Sequence, residues 1–324
     1  MRRHYVQILD GKIHTKSQDV PSPSPGSSQL LVQVRAAGLN RGELLALRRS
    51  GSQEPVAMGW ETAGEVLETG PECQGFRVGD RVMGRCEAGF ADQVLIDAHD
   101  AMRVPDSLSW IQAAAVPIVT LVVYDMLVMQ GHLAAGEWLL INGVSSGVGV
   151  AALQLAKSLG ARVIGTSGSR EKLAALAAYG LDCGIPTRQP DFHEAVMTTT
   201  QGHGADLVVN IVGGSVLAEC VRSMAYQGRL ATVGYLDGIT SGSLDLAALH
   251  SQRLHLFGVS AKRQSSAQRQ AIVQGVTRDV LPLFVNERMR PVVGHVFPFA
   301  QLADALASME ANDQTGKIVL SDQT

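Results

Sequence analysis

The chain has 324 residues, of which 46% are hydrophobic and 18% charged, and its formal net charge is −3. This length exceeds one ordinary hydrophobic core, so two domains are expected. The small negative charge gives no general attraction to nucleic acid or to an anionic membrane, and neither is expected as a partner. The four cysteines, Cys73, Cys86, Cys183 and Cys220, form no CxxC pair. That scatter disfavours a disulfide framework or a structural zinc site and is typical of reduced thiols in a cytoplasm.

A membrane span is not expected either. The most apolar run, residues 113–124, contains Pro117 and stops at Asp125, well short of the length that crosses a bilayer. The N-terminal residues carry two arginines but no apolar segment long enough for a signal peptide. We therefore expect a cytoplasmic protein whose partner is a small molecule.

Residues 1–110 are predicted to be mostly β-structure. Residues 30–35 alternate as a strand, residues 76–83 predict two strands joined by a turn at Gly79, and residues 89–96 predict a further strand. Short strands at this spacing favour a small barrel. Ser109 has the residue type of a helix N-cap before the apolar run that follows it.

From about residue 121 the pattern alternates between β and α, which predicts an α/β fold with a parallel sheet covered by helices on both faces. Strands are predicted at 138–141, 162–166, 183–185, 206–211, 229–233 and 254–259, and helices at 150–159, 170–179, 191–200 and 215–226. The remainder predicts helices at 267–284 and 300–310 and strands at 292–297 and 317–320. These last strands have no parallel partner nearby in sequence, so we expect them to return to the N-terminal barrel.

The region 138–168 combines a strand, a glycine-rich loop, a helix and a second strand. Its glycines follow the spacing GxxxGxG, at Gly143, Gly147 and Gly149. In this setting the glycines let backbone N–H groups approach a pyrophosphate at the positive end of a helix. Because the flanking strands and helix are all recognisable, dinucleotide binding is favoured over a plain βαβ unit. The loop residues predicted to contact the cofactor are Ser145, Ser146, Gly147, Val148 and Gly149.

Two superfamilies use such a loop. Short-chain dehydrogenases place it near the chain start and pair it with Tyr-x-x-x-Lys, which none of the five tyrosines here provides. A mid-chain nucleotide domain behind a small barrel instead resembles the medium-chain dehydrogenase/reductase superfamily, and within it the zinc-free quinone oxidoreductase (zeta-crystallin-like) branch. The resemblance is carried by residues 38–44, 59–61, 78–82, 104–109, 143–149, 213–214 and 316–319.

The resemblance implies a Rossmann-type doubly wound parallel sheet and a GroES-like barrel domain completed by the C-terminal segment. The corresponding boundaries are 1–120 for the GroES-like catalytic domain, 121–261 for the Rossmann cofactor-binding domain and 262–324 for the returning segment. A homodimer is also expected, because the apolar edge strand 254–259 would be exposed unless it paired with its copy.

The resemblance also locates the positions that hold catalytic zinc in related enzymes. The cysteine position is Asn40 and the histidine position is Trp60, and the cysteine-rich lobe that would follow Met83 is absent. Cys86 and His99 remain as isolated candidates. Since catalytic zinc needs three converging ligands, no metal is expected.

The cofactor is predicted to be NADPH. NAD enzymes carry an acidic residue after the second strand to bind the ribose hydroxyls, but residues 166–170 contain none. Ser169 and Lys172 offer donors for a 2′-phosphate. The family's tyrosine position is Thr187, and the adjacent Arg188 is a possible replacement. The further predicted cofactor contacts are Thr166, Ser167, Gly168, Ser169, Lys172, Arg188, Val212, Gly213 and Gly234.

Without zinc, a quinone or an activated α,β-unsaturated carbonyl is the expected hydride acceptor. Asn40 is the best candidate for a donor near the acceptor oxygen, or else a turn asparagine. The family's crossover threonines are Val119 and Val122 here, and Thr120 is the candidate that replaces their hydrogen bond. Tyr235, at a predicted strand end, either borders the nicotinamide or packs. These three residues are the predicted catalytic set.

Three functions are compatible with these features. The leading one is an NADPH-dependent quinone reductase, and the nearest alternative is an enoyl reductase acting on an activated alkene or thioester. A basic entrance for a thioester carrier is conceivable at Arg48-Arg49 and Lys262-Arg263, although such charges are usually only solvated. The third is a cofactor-binding protein with little turnover.

Overall fold

The computed structural model describes residues 1–51 and 53–322. The chain divides into two compact units. Unit 1 comprises Met1–Leu121 and Ser265–Thr324, and unit 2 comprises Val122–Gln264. No helix among the described residues is long and apolar enough to cross a membrane.

The described residues contain sixteen strands. In chain order they are β1 (Arg2–Leu9), β2 (Lys12–Asp19), β3 (Gln29–Gly38), β4 (Val56–Ala57), β5 (Glu61–Thr69), β6 (Arg81–Arg85), β7 (Gln93–Asp97), β8 (Ala101–Arg103), β9 (Trp138–Asn142), β10 (Arg162–Ser167), β11 (Cys183–Pro186), β12 (Ala205–Asn210), β13 (Met224–Thr232), β14 (His255–Gly258), β15 (Val293–Phe297) and β16 (Lys317–Leu320).

The α-helices are α1 (Arg41–Ser50), α2 (Trp110–Ala114), α3 (Pro117–Tyr124), α4 (Gly147–Ser158), α5 (Arg170–Leu176), α6 (His193–Thr199), α7 (Leu217–Arg222), α8 (Leu246–Ser251), α9 (Ser266–Gly275), α10 (Leu281–Val285) and α11 (Leu302–Ala311). π-helical turns at Asp125–Gln130 and Val276–Val280 continue α3 and join α9 to α10. The side chain of Ser109 caps α2 by accepting the N–H of Gln112, as the sequence predicts.

Unit 1 is built on a seven-stranded sheet in the order β15-β16-β3-β5-β6-β8, with β7 also paired to β3, and on a three-stranded sheet, β2-β1-β4. The C-terminal strand β16 lies antiparallel to β3, so the chain end returns to the barrel as predicted. The expectation that the last strands lack a parallel partner nearby was wrong, because β15 and β16 pair in parallel with each other. One apolar core, which includes Val32, Leu44 and Ile318, joins both ends of the chain.

Unit 2 is a six-stranded parallel sheet in the order β11-β10-β9-β12-β13-β14. The order reverses direction between β9 and β12, which is the switch point where doubly wound sheets bind ligands beyond the carboxyl ends of the strands. The central strand β9 is buried along its whole length, as expected for a sheet covered on both faces. The predicted Rossmann-type fold class is therefore confirmed.

The predicted elements at residues 76–80 and 224–226 differ from the structure. Residues 76–80 form turns rather than a strand, because the Asp80 carboxylate accepts the N–H of Arg77 and pairs with Arg103. The helix predicted at 215–226 ends at Arg222, and Met224 already belongs to β13, where it pairs with Ala205. Residues 224–226 fit either pattern, and pairing with the neighbouring strand determined the outcome.

Candidate functional site

The glycine-rich loop of unit 2 connects β9 to α4. Ser146 is the N-cap of α4: its Oγ accepts the N–H of Gly149 at 3.1 Å and donates to the carbonyl of Gly143 at 2.8 Å. Gly143 has a φ of +81°, a conformation that favours glycine. The cap fixes the loop against the helix, and the next N–H groups, those of Gly147 and Val148, belong to the helix turn that commonly binds phosphate.

Gly149 is required by the close packing of this loop. A Cβ at Gly149 would lie 2.5 Å from the carbonyl oxygen of Gly143 and 2.6 Å from that of Val144. Both atoms are backbone, so neither can turn aside. The start of α4 therefore approaches the loop as closely as it does only because this residue has no side chain.

The loop after β10 lies beside the glycine-rich loop. The hydroxyls of Ser145 and Ser167 are 3.3 Å apart. Gly168 packs under the side chain of Arg188, which occupies the space that a Cβ at Gly168 would need. The structure thus brings together three of the regions that the sequence assigns to cofactor binding, and it places the Arg188 side chain over Gly168.

Sequence reasoning missed Glu171 in this loop. The hydroxyl of Ser169 accepts the N–H of Lys172 at 3.2 Å and donates to the Glu171 carboxylate at 2.7 Å. The hydrogen bond from Ser169 is the main reason that the pKa of Glu171 is lowered. Residues 166–170 do lack an acid, but a charged carboxylate nevertheless lies on Ser169, next to the predicted cationic donors.

Thr166 does not have the position expected of a cofactor ligand. It is buried in β10, where its hydroxyl donates to Oδ1 of Asn142 at 3.0 Å and lies 3.3 Å from the backbone N of Gly143. Ser167 is also buried. Thr166 therefore holds the glycine-rich loop through its contact with Gly143, and its predicted contact with the cofactor stays a prediction.

A third loop follows β12. Asn210 holds it, because Nδ2 donates to the carbonyl of Gly213 and Oδ1 accepts the N–H groups of Val212 and Gly213, all at 2.9–3.0 Å. Gly213 has a φ of +129°, and the Asp237 carboxylate fills the space where its Cβ would lie. Burial would raise the pKa of Asp237, but hydrogen bonds from Ser215 and from backbone N–H groups lower it.

The loop after β13 contains the remaining two predicted residues of unit 2. Gly234 packs against Ile211, since an added Cβ would lie 3.1 Å from the Ile211 carbonyl. Tyr235 is half-buried and begins a turn in which its carbonyl accepts the N–H of Gly238. We call these connections, which follow β9, β10, β12 and β13, together with the one after β11 that contains Arg188, the nucleotide loops. All leave the carboxyl edge of one parallel sheet.

Unit 1 contains a second arrangement, which we call the buried polar cluster: Asn40, Glu43, Glu61 and Lys317. The Asn40 amide donates to Oε1 of Glu43 at 3.1 Å and to Oε1 of Glu61 at 3.0 Å. The Lys317 ammonium donates to the Leu39 carbonyl and to Asn40 Oδ1 at 2.7 Å, and to Glu61 Oε1 at 2.5 Å.

The remaining carboxylate oxygens of the cluster bind backbone N–H groups. Gly59 donates to Oε2 of Glu43 at 2.8 Å, and Ile118 donates to Oε2 of Glu61 at 2.7 Å. Exposure is 3% for Glu43, 0% for Glu61 and 6% for Lys317. Burial raises the pKa of Glu43 to about 7, against the lowering effect of its hydrogen bonds from Asn40 and Gly59. One ammonium therefore balances one carboxylate, and Glu43 titrates near neutral pH.

These contacts occupy the hydrogen-bond donors of two of the predicted catalytic residues. Both amide hydrogens of Asn40 are used within the cluster, so this side chain has none left to donate to an acceptor oxygen. Thr120 is buried, and its single hydroxyl hydrogen is directed at the carbonyls of Val116 and Pro117, at 2.8 and 3.1 Å. Sequence reasoning missed Glu43, Glu61 and Lys317, although each lies within a motif that it singled out.

The candidate metal positions have other roles. Among the described residues, no group of three or more His, Cys, Asp and Glu side chains could hold a metal ion. Trp60 exposes 38% of its surface. Cys86 is buried, its thiol lies 3.5 Å from the Gly59 carbonyl, and burial raises its pKa. His99 is exposed.

Arg48 belongs to the basic entrance that the sequence offers for a thioester carrier. Its guanidinium pairs with Glu310 at 2.5 Å, with both side chains more than one-third exposed. The neighbouring Arg49 donates to the Leu45 carbonyl of its own helix at 3.3 Å. Arg48 is thus committed to a surface ion pair.

Comparison with known proteins gives the same organisation. Residues 26–106 match the alcohol dehydrogenase GroES-like domain, and residues 147–275 match the zinc-binding dehydrogenase family. A highly reducing polyketide synthase of Emericella nidulans is 30% identical over 308 residues, which are 94% of this chain but 12% of the synthase. The chain thus spans a small part of that relative.

Solved structures agree with the fold. A quinone oxidoreductase of Pseudomonas syringae pv. Tomato DC3000 superposes with a TM-score of 0.87 at 25% identity, covering 99% of this chain and 100% of that one. A mycobacterial protein in complex with NADPH superposes with a TM-score of 0.88 at 24% identity, covering 98% and 99%. Together with the two family matches, this places the chain in the medium-chain dehydrogenase/reductase superfamily.

Proposed function

We propose that the protein is a zinc-independent reductase that transfers hydride from NADPH to a quinone. The observation that carries the proposal is the buried polar cluster. Asn40 stands at the position of a zinc-binding cysteine in related enzymes, and its amide is bound by Lys317, Glu43 and Glu61. Because these side chains bind one another, they offer no metal site that could polarise an acceptor carbonyl. This favours acceptors that take up a hydride without polarisation by a metal.

The nucleotide loops support NADPH as the cofactor. Bound NADPH supplies the hydride. The N–H groups of Gly147 and Val148 would bind its pyrophosphate, while Lys172 and Arg188 would bind the 2′-phosphate. The Arg188 side chain already lies over Gly168. Glu171 opposes an added phosphate by charge repulsion, so we expect a preference for NADPH over NADH rather than absolute selectivity.

The test is the oxidation of NADPH by the purified full chain with a panel of quinones, enones and enoyl thioesters. Quinones should give the highest kcat/KM, and NADPH should exceed NADH. Binding of NADPH without turnover on any acceptor would instead support a cofactor-binding protein with little activity. Faster turnover with NADH would overturn the proposed cofactor.

An enoyl reductase is the second candidate. It is favoured by the 30% identity to a highly reducing polyketide synthase over nearly the whole of this chain. A higher kcat/KM with an enoyl thioester than with any quinone would establish it. The ion pair between Arg48 and Glu310 weakens the case for a basic entrance at Arg48-Arg49.

We also propose that the protein forms a homodimer through β14. This strand is the edge of the sheet in unit 2 and exposes Leu256, and an apolar edge is stabilised by pairing. Light scattering at micromolar concentration should give the mass of two chains, and replacing Leu256 with lysine should halve it. A monomeric wild-type protein would contradict the proposal.

A further inference from the structure

Trp60 differs from the other two tryptophans of the chain in how its ring is covered. The Arg81 guanidinium lies over the Trp110 ring at 4.5 Å, and the Arg162 guanidinium lies over the Trp138 ring at 4.4 Å. Trp60 instead leaves 38% of its surface exposed. An exposed indole forgoes the large stabilisation that burial of so much apolar area provides, so its position needs an explanation.

The backbone that carries Trp60 is fixed on both sides. Gly59 donates to the buried Glu43 carboxylate at 2.8 Å, and a Cβ there would lie 2.5 Å from the backbone N of Phe90. The Trp60 carbonyl accepts the N–H of Cys86 at 2.9 Å. Glu61, the next residue, is fully buried in its ion pair with Lys317. The exposed ring is therefore attached to a segment of unit 1 that is held by contacts at three successive residues.

The indole also has space reserved for it. Its six-membered ring lies against Gly42 in the first turn of α1, where an added Cβ would be 3.2 Å from Cζ3 and 3.8 Å from Cη2. The residue that the ring contacts, Gly42, lies two positions after Asn40 in the chain. The ring is therefore beside the buried polar cluster. A rigid aromatic ring held at the position of a metal-binding histidine in related enzymes is suited to contact whatever binds there.

We infer that Trp60 is a stacking platform for the acceptor, and that the acceptors it selects are planar, ring-fused quinones. This inference rests on the proposed quinone reductase function and adds the substrate class. Offset stacking of two aromatic rings strengthens binding by about three- to tenfold. An acceptor without a flat ring would gain little from it.

Steady-state kinetics with menadione test the inference. Trp60→Leu should raise KM for menadione by about three- to tenfold with kcat changed less than about twofold, because stacking acts on binding. Trp60→Phe should restore most of the lost affinity, since it keeps a ring. Trp110→Phe, which keeps a ring under Arg81, is the matched control and should behave as wild type. An unchanged KM in Trp60→Leu would overturn the inference.

Menadione quenching of tryptophan fluorescence gives a readout that does not need turnover. Quenching should be saturable in wild type and in Trp110→Phe and lost in Trp60→Phe, where only the covered tryptophans remain. If wild type oxidises no NADPH with quinones, the proposed function fails. This titration still shows whether menadione stacks on Trp60. Saturable quenching that persists in Trp60→Phe would exclude stacking on Trp60.

Discussion

The buried polar cluster and the nucleotide loops use polar groups in opposite ways. In the cluster, side chains from distant parts of the sequence bind one another; Glu43, Glu61 and Lys317 are buried and Asn40 is partly buried. In the loops, short-range contacts such as the Ser146 cap arrange backbone N–H groups and cations at the edge of a sheet.

The difference separates groups that stabilise the fold from groups that remain available to a ligand. A group whose hydrogen bonds are satisfied inside the protein stabilises the fold, whereas groups at helix starts and loop surfaces can exchange water for a ligand at little cost. The residue at a zinc-ligand position, Asn40, belongs to the first kind, and the residues around Gly147 and Arg188 belong to the second. The predictions below test that division.

Lys317→Met should give the largest effect. It leaves the buried Glu61 carboxylate without its counter-ion, which costs about 3–5 kcal/mol of unfolding free energy. Urea unfolding measures it, and the double variant with Glu61→Gln should recover part of the loss. Lys157→Met, which breaks a half-exposed pair with Asp182 at 2.8 Å, is the control and should cost less than about 1 kcal/mol. Equal losses in the two single variants would contradict the prediction.

Glu43→Gln should change how stability depends on pH. The pKa of Glu43 is raised from 4.5 to about 7 in the folded chain, so the folded state binds this proton more tightly than the unfolded state. The contribution of this proton to the free energy of unfolding is full below pH 4.5. It is lost as pH rises toward 7, by up to about 1.4 kcal/mol per pH unit. The free energy of unfolding is measured for wild type and variant between pH 5 and pH 8. The difference between them should grow with pH in favour of Glu43→Gln.

A surface variant provides the comparison for this pH series. Glu65 forms a half-exposed pair with Arg35 at 3.4 Å, and Glu65→Gln removes a surface carboxylate in the same pH series. A Glu43→Gln profile parallel to the wild-type profile would mean that Glu43 does not titrate in this range.

Gly149→Ala should disrupt the nucleotide loops locally. The new methyl group would meet two backbone carbonyls at 2.5–2.6 Å, and we expect at least about tenfold weaker NADPH binding, equivalent to about 1.4 kcal/mol. Fluorescence titration with NADPH measures the affinity. Gly258→Ala, which meets nothing within 4 Å, should bind as wild type, and unchanged affinity in Gly149→Ala would place the pyrophosphate elsewhere.

Arg188→Ala should have the smallest effect. Removing one partly solvated cation should weaken NADPH binding by about fivefold, roughly 1 kcal/mol, and leave NADH binding nearly unchanged. The ratio of the two dissociation constants is the measurement. Arg162→Ala, whose guanidinium covers Trp138 in the same unit, is a matched control. A parallel loss for both cofactors would remove Arg188 from the phosphate site.

The nucleotide loops could be predicted from the sequence better than the buried polar cluster. The glycine-rich loop and its capped helix were predictable because their determinants lie within a few residues, as the Ser146–Gly149 contact illustrates. The strand at Lys317–Leu320 was predictable from its apolar run. The role of Asn40 was not predictable, since its partners Glu61 and Lys317 are distant in sequence. The Thr120 hydroxyl, by contrast, follows a local pattern, because it donates to the carbonyl four residues earlier in its helix.

Glu171 and the residues 224–226 illustrate the same limit. Glu171 lies one residue beyond the segment where an acid was sought, and only the structure shows the Ser169 hydroxyl on its carboxylate. Residues 224–226 suit a helix or a strand, and pairing of β13 with β12 settles the matter. In both cases the deciding partner is a specific atom, which residue type and spacing do not encode.

The position of Lys317 has a consequence for the order in which the chain folds. Its ammonium is 277 residues from Asn40 and 256 from Glu61 in sequence, and the whole of unit 2 lies between them. During synthesis, all residues of unit 2 are made before Lys317. Glu61 therefore has no counter-ion until β16 has been synthesised. In ribosome-bound chains that stop before residue 317, unit 2 should therefore resist protease, whereas the N-terminal barrel should still be cleaved.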